Sequence, residues 1–216
     1  MSHRFPPFRV AAAVAVAFTL VVLGAALRPV VLPERHTDTP ILTAVEIGFA
    51  QDMTAHHEQA LRMTQRLDPD VDPNIRRLAD QLADAQRTEI GTMLGWLRLA
   101  DASPLSPQPM LWMHTESAGH DHAARTEPDP STGMPGMATT AELDALAAAR
   151  GREAEILFLR LMIRHHRGGL RMAVAADALL THGAVKEAAR ATLQSQSQEI
   201  GIMGVMLVQL GGQVPA

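Results

Sequence analysis

The stretch "FLRLMIRHHRGGLRMA", residues 158–173, decides how this chain is read. Phe158, Met162, His165, Gly169 and Met172 recur at steps of three and four, the spacing of one face of an α-helix. An imidazole in register with Phe and Met is out of place on an apolar stripe. The same arrangement stands earlier in the chain as "GFAQDMTAHHEQALRM", residues 48–63. Glu46 and Glu155, Ile47 and Ile156, Phe49 and Phe158, Met53 and Met162, His56-His57 and His165-His166, and Met63 and Met172 all stand 109 positions apart. Packing explains a repeated Phe or Met, but not a repeated His-His.

A second pair of segments repeats at an offset of 110: "QRTEIGTMLGW", 86–96, and "QSQEIGIMGVM", 196–206. The chain is therefore an internal duplication, in which equivalent residues should meet around a pseudo-twofold axis. The first helix is expected to start at Thr39-Pro40, with Thr39 as cap and Pro40 in the first turn. Its apolar face is Phe49, Met53, His56, Ala60, Met63 and Leu67. Asp72-Pro73 starts the second helix, whose inward row reads Ile75, Leu78, Leu82, Ala85, Glu89, Met93, Trp96. Thr139 and Glu142 form a capping box for a short helix. A long helix follows over 153–181, and His182-Gly183 stops it. The last helix covers 184–210, with Ala189, Thr192, Gln196, Glu199, Met203, Met206 and Leu210 inward. Two amphipathic hairpins bury their stripes only against each other. The predicted fold is all-α, a four-helix bundle over 40–212. Hairpin one is 40–101, a long Met/His-rich crossover is 102–138, and hairpin two is 139–212.

Composition agrees. Of the 216 residues 47% are hydrophobic and only 3% aromatic, which disfavours a strand-rich fold. There is no Cys, so disulfides, thiolate metal sites and thiol nucleophiles are excluded. The formal charge of -4 and the lack of a basic run argue against a nucleic-acid partner. Residues 1–28 read as a signal peptide or membrane anchor: Arg4 and Arg9 precede the uncharged run Val10–Leu27, which would sit in the bilayer if uncleaved. Residues 29–39 form a tether. The remainder is expected outside the cytoplasm. Assembly into a homo-oligomer is left open.

The candidate site follows from the polar residues in the apolar rows. A buried carboxylate costs several kcal/mol unless it is paired or bound to a cation. His56, His57, His165 and His166 with Glu89 and Glu199 make a plausible cation site. Thioethers extend it: Met53 and Met162 precede the His pairs, and Met93 and Met203 follow the Glu residues. Imidazole with thioether favours copper, Met preferring the reduced ion. A second cluster lies in the crossover: Met110, Met113, His114, His120, His122, Met134 and Met137, with Trp112 among them to dock the loop. No Glu-x-x-His occurs, which disfavours a di-iron oxidase, and His-Glu-x-x-His is also absent. No hydrolase elbow, phosphate loop or dinucleotide fingerprint is present. Gly168-Gly169 reads as a place of close helix contact. Two readings remain: a copper buffer or chaperone, or a membrane-anchored structural or interaction module whose His and Glu simply pair with each other. Whether the chain is also an enzyme is left open, with a non-catalytic role favoured.

With the His-His segments, the Gln-x-x-Glu-Ile segments and "MPGM" (134–137) in place, the chain resembles the ferritin-like four-helix proteins of domain-of-unknown-function family 305, often exported, over residues 42–210. The resemblance implies an all-helical duplicated fold, and some members are similar to copper-binding or copper-tolerance proteins. It carries over onto Met53, His56, His57, Glu89 and Met93, then Met162, His165, His166, Glu199 and Met203. Two departures stand out: Ala154-Glu155 where Phe-Asp is common, and Gly168-Gly169 where Gly-Ala is common.

Overall fold

The computed structural model describes residues 7–31, 40–114 and 133–215. The chain divides after residue 39 into two units. The first holds helix α1, Pro7–Val31. It runs past Arg28 into the expected tether, because no capping residue follows Arg28 and the apolar run resumes at Val30. Among the described residues no helix is long and apolar enough to cross a membrane.

The second unit contains α2 (Ala44–Arg66), α3 (Pro73–Leu99), a 3₁₀ turn (Leu111–His114), α4 (Thr140–Ala148), α5 (Gly151–Leu179) and α6 (Ala184–Gln209). The protein is all-helical, and no strand occurs among the described residues. α2 packs on α3 and α5 packs on α6; the two hairpins meet through α2 and α5. α4 and the 3₁₀ turn lie against this central pair.

The caps are set by short polar signals. Asp72 accepts a hydrogen bond from the Asn74 amide at 2.7 Å, with Pro73 in the first turn, as the sequence predicts. Thr139 and Glu142 close the predicted capping box. The start of α2 differs from expectation. Thr39 lies outside the described residues and Pro40 is not helical. Thr43 caps the helix instead: its hydroxyl accepts from the Glu46 amide, and the Glu46 carboxylate accepts from the Thr43 amide at 2.7 Å. A reciprocal box satisfies two orphan amides, whereas a lone Thr cap satisfies one. Gly183 takes φ +107 between α5 and α6, the left-handed region that the predicted stop needed.

Ala154 is fully buried, and Glu155 accepts from the Asp72 amide at 2.7 Å, so the unusual Ala-Glu pair ties α5 to the start of α3. The α3 row is shifted by one residue: Ala85 is exposed and Gln86 is buried in its place. The core falls into two apolar clusters. One gathers Ala60, Met63, Ile75, Leu78, Leu82, Phe158, Met162, Met203 and Leu207. The other gathers Phe49, Met53, Met93, Leu97, Met172, Ala176, Val185 and Ala189. Between them, on all four long helices, lies a band of polar residues.

Arg164 fastens α4 to α5 through two bonds to the Glu142 carboxylate, at 2.7 and 2.6 Å. These bonds hold the carboxyl down to about 2, below its ordinary value of 4.5. A depressed carboxyl pKa contributes stability that is present above the unfolded value and lost as pH falls from 4.5 towards 2. Glu142→Gln keeps the capping box but loses the ion pair. Solvent screening limits the effect to about 1 kcal/mol. Urea unfolding at pH 7 should show the variant less stable than the parent, and the gap should close as pH drops through that window.

Candidate metal centre

The polar band is built by sequence register. On α2 the apolar residues Phe49 and Met53 fall in one cluster and Ala60 and Met63 in the other, with His56-His57 between. On α5, His165-His166 sits between Met162 and Met172 in the same way. Gln86 and Glu89 on α3, and Thr192, Gln196 and Glu199 on α6, complete the layer.

All four imidazoles are wholly buried. His56 and His165 stack face to face where α2 meets α5, with ring centres 3.7 Å apart and planes inclined by 30°. Each of the four uses Nε2 in a hydrogen bond. His57 pairs with the Glu89 carboxylate at 2.5 Å, and His166 with Glu199 at 2.8 Å. His165 bonds the His56 carbonyl at 2.9 Å, and His56 the Pro135 carbonyl at 3.2 Å. A carbonyl or carboxylate oxygen only accepts, so Nε2 carries the proton in each case. All four Nδ1 atoms are buried with no hydrogen-bond partner. A second proton there would be a buried donor without an acceptor, which costs more than a bare lone pair. Burial and the neighbouring His57 hold His56 down to about 3. Burial and His56 hold His165 well below the usual histidine range. The centre is thus a set of four buried imidazoles, each oriented through Nε2 in the manner of metal-ligating histidines and each with an unpartnered Nδ1; in the stacked pair, His56 and His165, burial favours the neutral form.

Glu89 and Glu199 are less deeply placed than the sequence rows suggested, with side chains 34% and 22% exposed. Each lies at the edge of the band and reaches its histidine from there. Met53, Met93, Met162 and Met203 are all buried beside the layer. Met53, His57, Glu89 and Met93 line one cavity of about 140 Å³, closed on the α6 side by Ala188, Ala191 and Thr192. Among the described residues no three His, Asp or Glu side chains converge as metal ligands.

Met110, Met134 and Met137 are buried in the apolar cluster that holds Phe49, Met113 is half-buried, and His114 is exposed. The four methionines pack in or against that one cluster. His120 and His122 lie outside the described residues. Trp112 docks as expected, edge-on to Phe49, and donates its indole N–H to Asp52 at 2.8 Å. Gly168 admits the crossover rather than a helix: a Cβ there would lie 1.8 Å from the Pro135 carbonyl oxygen. Gly169 faces the side chain of Gln196 on α6.

Four residues of this neighbourhood were not singled out as site candidates in the sequence reading. Gln86 and Gln196 are buried in the layer, with side-chain polar atoms left unpaired; their repetition at offset 110 was the available signal. Asp52 and Gln59 hold the crossover, Gln59 by bonding both the amide and the carbonyl of Ala138 at 2.6 and 2.9 Å. Burial raises the Asp52 carboxyl above its usual range.

The fold and its duplicated polar layer define a class of all-helical proteins, and the comparisons identify which. The model of the family described as "Domain of unknown function (DUF305)" matches residues 46–207. The chain belongs to that family. A DUF305 protein from Streptomyces coelicolor, designated as secreted, shares 36% identity and a TM-score of 0.68, with 80% of this chain and 96% of that one covered. A DUF305 fragment from Deinococcus radiodurans shares 28% identity and a TM-score of 0.63 over 77% of this chain and 97% of that one. CopM in its Cu(I)-bound form shares the fold at 24% identity and a TM-score of 0.56, over 77% and 98% of the two chains. No curated protein matches the chain.

Two glycine substitutions separate the docking of the crossover from helix propensity. Gly168→Ala places a methyl group against the Pro135 carbonyl and should cost about 3 kcal/mol. Gly91→Ala meets nothing within 4 Å and should stabilise by about 0.5–1 kcal/mol. Chemical denaturation of both variants checks the opposite signs.

Proposed function

We propose that this chain is an exported metal-binding protein that buffers or chaperones copper. One observation carries the reading: four buried imidazoles, each held through Nε2, have Nδ1 atoms with no hydrogen-bond partner. Buried unsatisfied nitrogens in a native core call for a reason, and ligation is one. In this reading His56, His57, His165 and His166 supply nitrogen, with Met53, Met93, Met162 and Met203 as thioether ligands beside them. Glu89 and Glu199 act through His57 and His166, fixing their tautomer and raising their basicity. Soft sulfur with imidazole selects copper, reduced copper above all. The Cu(I)-bound, Cu(II)-bound and Ag-bound forms of CopM, which share this fold, support the same reading. Export is supported by the amino-terminal sequence and by the designation of the Streptomyces relative. Residues 1–28 then act as a signal peptide or as an anchor in the bilayer, with Met110, Met113, His114, His120, His122, Met134 and Met137 as a secondary source of ligands.

A metal-free reading, in which the His–Glu pairs only hold the bundle in register within a membrane-anchored structural module, draws on one observation. No three His, Asp or Glu side chains converge as ligands among the described residues. Titration decides between the two. The full chain should bind Cu(I) in competition with a chelator and should melt at higher temperature when loaded. A ligand at a hundred times its Kd adds about 2.7 kcal/mol. Replacing His56, His57, His165 and His166 together by Gln should abolish both effects while the circular dichroism stays helical. No copper binding by the parent, or unchanged affinity in the folded variant, contradicts the proposal.

A further inference from the structure

The duplication repeats the ligand residues but not the walls around them. Met53, His57, Glu89 and Met93 in the first half correspond to Met162, His166, Glu199 and Met203 in the second. The first set lines the 140 Å³ cavity, and the opposing helix α6 meets it with the small residues Ala188 and Thr192. At the offset of 110, the residues of α3 that stand in their places against the second set are Leu78 and Leu82. Both are buried, in the same apolar cluster as Phe158, Met162 and Met203. The wall positions thus carry larger side chains on the second side than on the first. An ion held by thioethers needs room for itself between them, and a close-packed interior offers none without displacement.

We infer that the two halves are not equivalent, and that a soft monovalent cation is held on the first side only, by the thioethers of Met53 and Met93 with the imidazole of His57. On this view Met162 and Met203 are packing residues despite their repetition. The inference rests on the metal-binding reading and narrows it. It also fits the absence, among the described residues, of a site made of His, Asp and Glu alone, since two of the three ligands are sulfur. Two thioethers and one imidazole suit a d¹⁰ monovalent ion and offer little to a hard divalent one.

Silver(I) alone is the probe, being soft and stable to oxidation. Three variants of the full chain are titrated beside the parent. Met53→Leu/Met93→Leu and Met162→Leu/Met203→Leu are both close to volume-conserving, so the folded state should survive each. Ala188→Leu/Thr192→Leu transplants the second-half wall onto the first. The first pair should weaken silver binding by about a hundredfold, the scale on which disturbed ligand shells weaken metal sites. The second pair should leave it within a factor of about three, well under 1 kcal/mol by the usual conversion. The transplant should lose silver as the first pair does, with unchanged helicity. Equal weakening by the two Met pairs, or full binding by the transplant, overturns the inference while leaving the metal-binding reading intact. A parent chain that binds no silver overturns both.

Discussion

The structure depends on the stacking of His56 on His165 where α2 crosses α5. Two fully buried imidazoles with ring centres 3.7 Å apart are both driven towards the neutral form. Each then needs a fixed proton position, and the surroundings supply one: the His56 carbonyl for His165 and the Pro135 carbonyl for His56. The polar layer divides the core in two and sets the register of the four long helices: a shift of α2 or α5 by one turn would bury an imidazole in an apolar cluster, and a shift of α3 or α6 would take Glu89 or Glu199 away from its histidine. The same constraint that fixes the fold leaves the four Nδ1 atoms buried without a partner. Architecture and candidate chemistry are one arrangement.

The duplication is broken where the crossover arrives. His165 finds its acceptor on α2, but His56 finds its acceptor in the Met-Pro-Gly-Met turn. Around that turn the repeated positions diverge. Gln59, which holds Ala138, corresponds to Gly168, which makes room for Pro135. Asp52, which takes the Trp112 and Met110 donors, corresponds to Leu161. Gly48, against which Trp112 lies, corresponds to Leu157. Repetition marks the centre, and departures from repetition mark what covers it.

Much of this was readable in the sequence. The helices, the Asp72-Pro73 and Thr139–Glu142 caps and the inward His56 and His165 follow from local signals and periodicity; His57 and His166 stand about 100° off that row, and packing buries them as well. The failures have physical causes. Thr39-Pro40 and Thr43–Glu46 are both helix starts by composition, and only the second closes two reciprocal bonds. Ala85 and Gln86 differ by about 100° around a helix, and a row stepping by three and four selects either; the position of the facing helix decides for Gln86. Glu89 and Glu199 lie in the rows but at their margin, so their depth depended on packing. The roles of Asp52 and Gln59 arise from partners far along the chain, which no periodicity reveals. The unequal walls at Ala188 and Leu78 were present in the sequence, yet nothing marked them until the cavity gave them a place.

The central claim is that all four rings carry a proton at Nε2 and offer no hydrogen-bond partner to a second one at Nδ1. Long-range ¹H–¹⁵N correlation spectra of the uniformly labelled protein at neutral pH report the tautomer of each ring directly. The account predicts the Nε2–H form at His56, His57, His165 and His166, with an unprotonated Nδ1 in every one. A protonated Nδ1 in any of them, as the other tautomer or as an imidazolium, would contradict it.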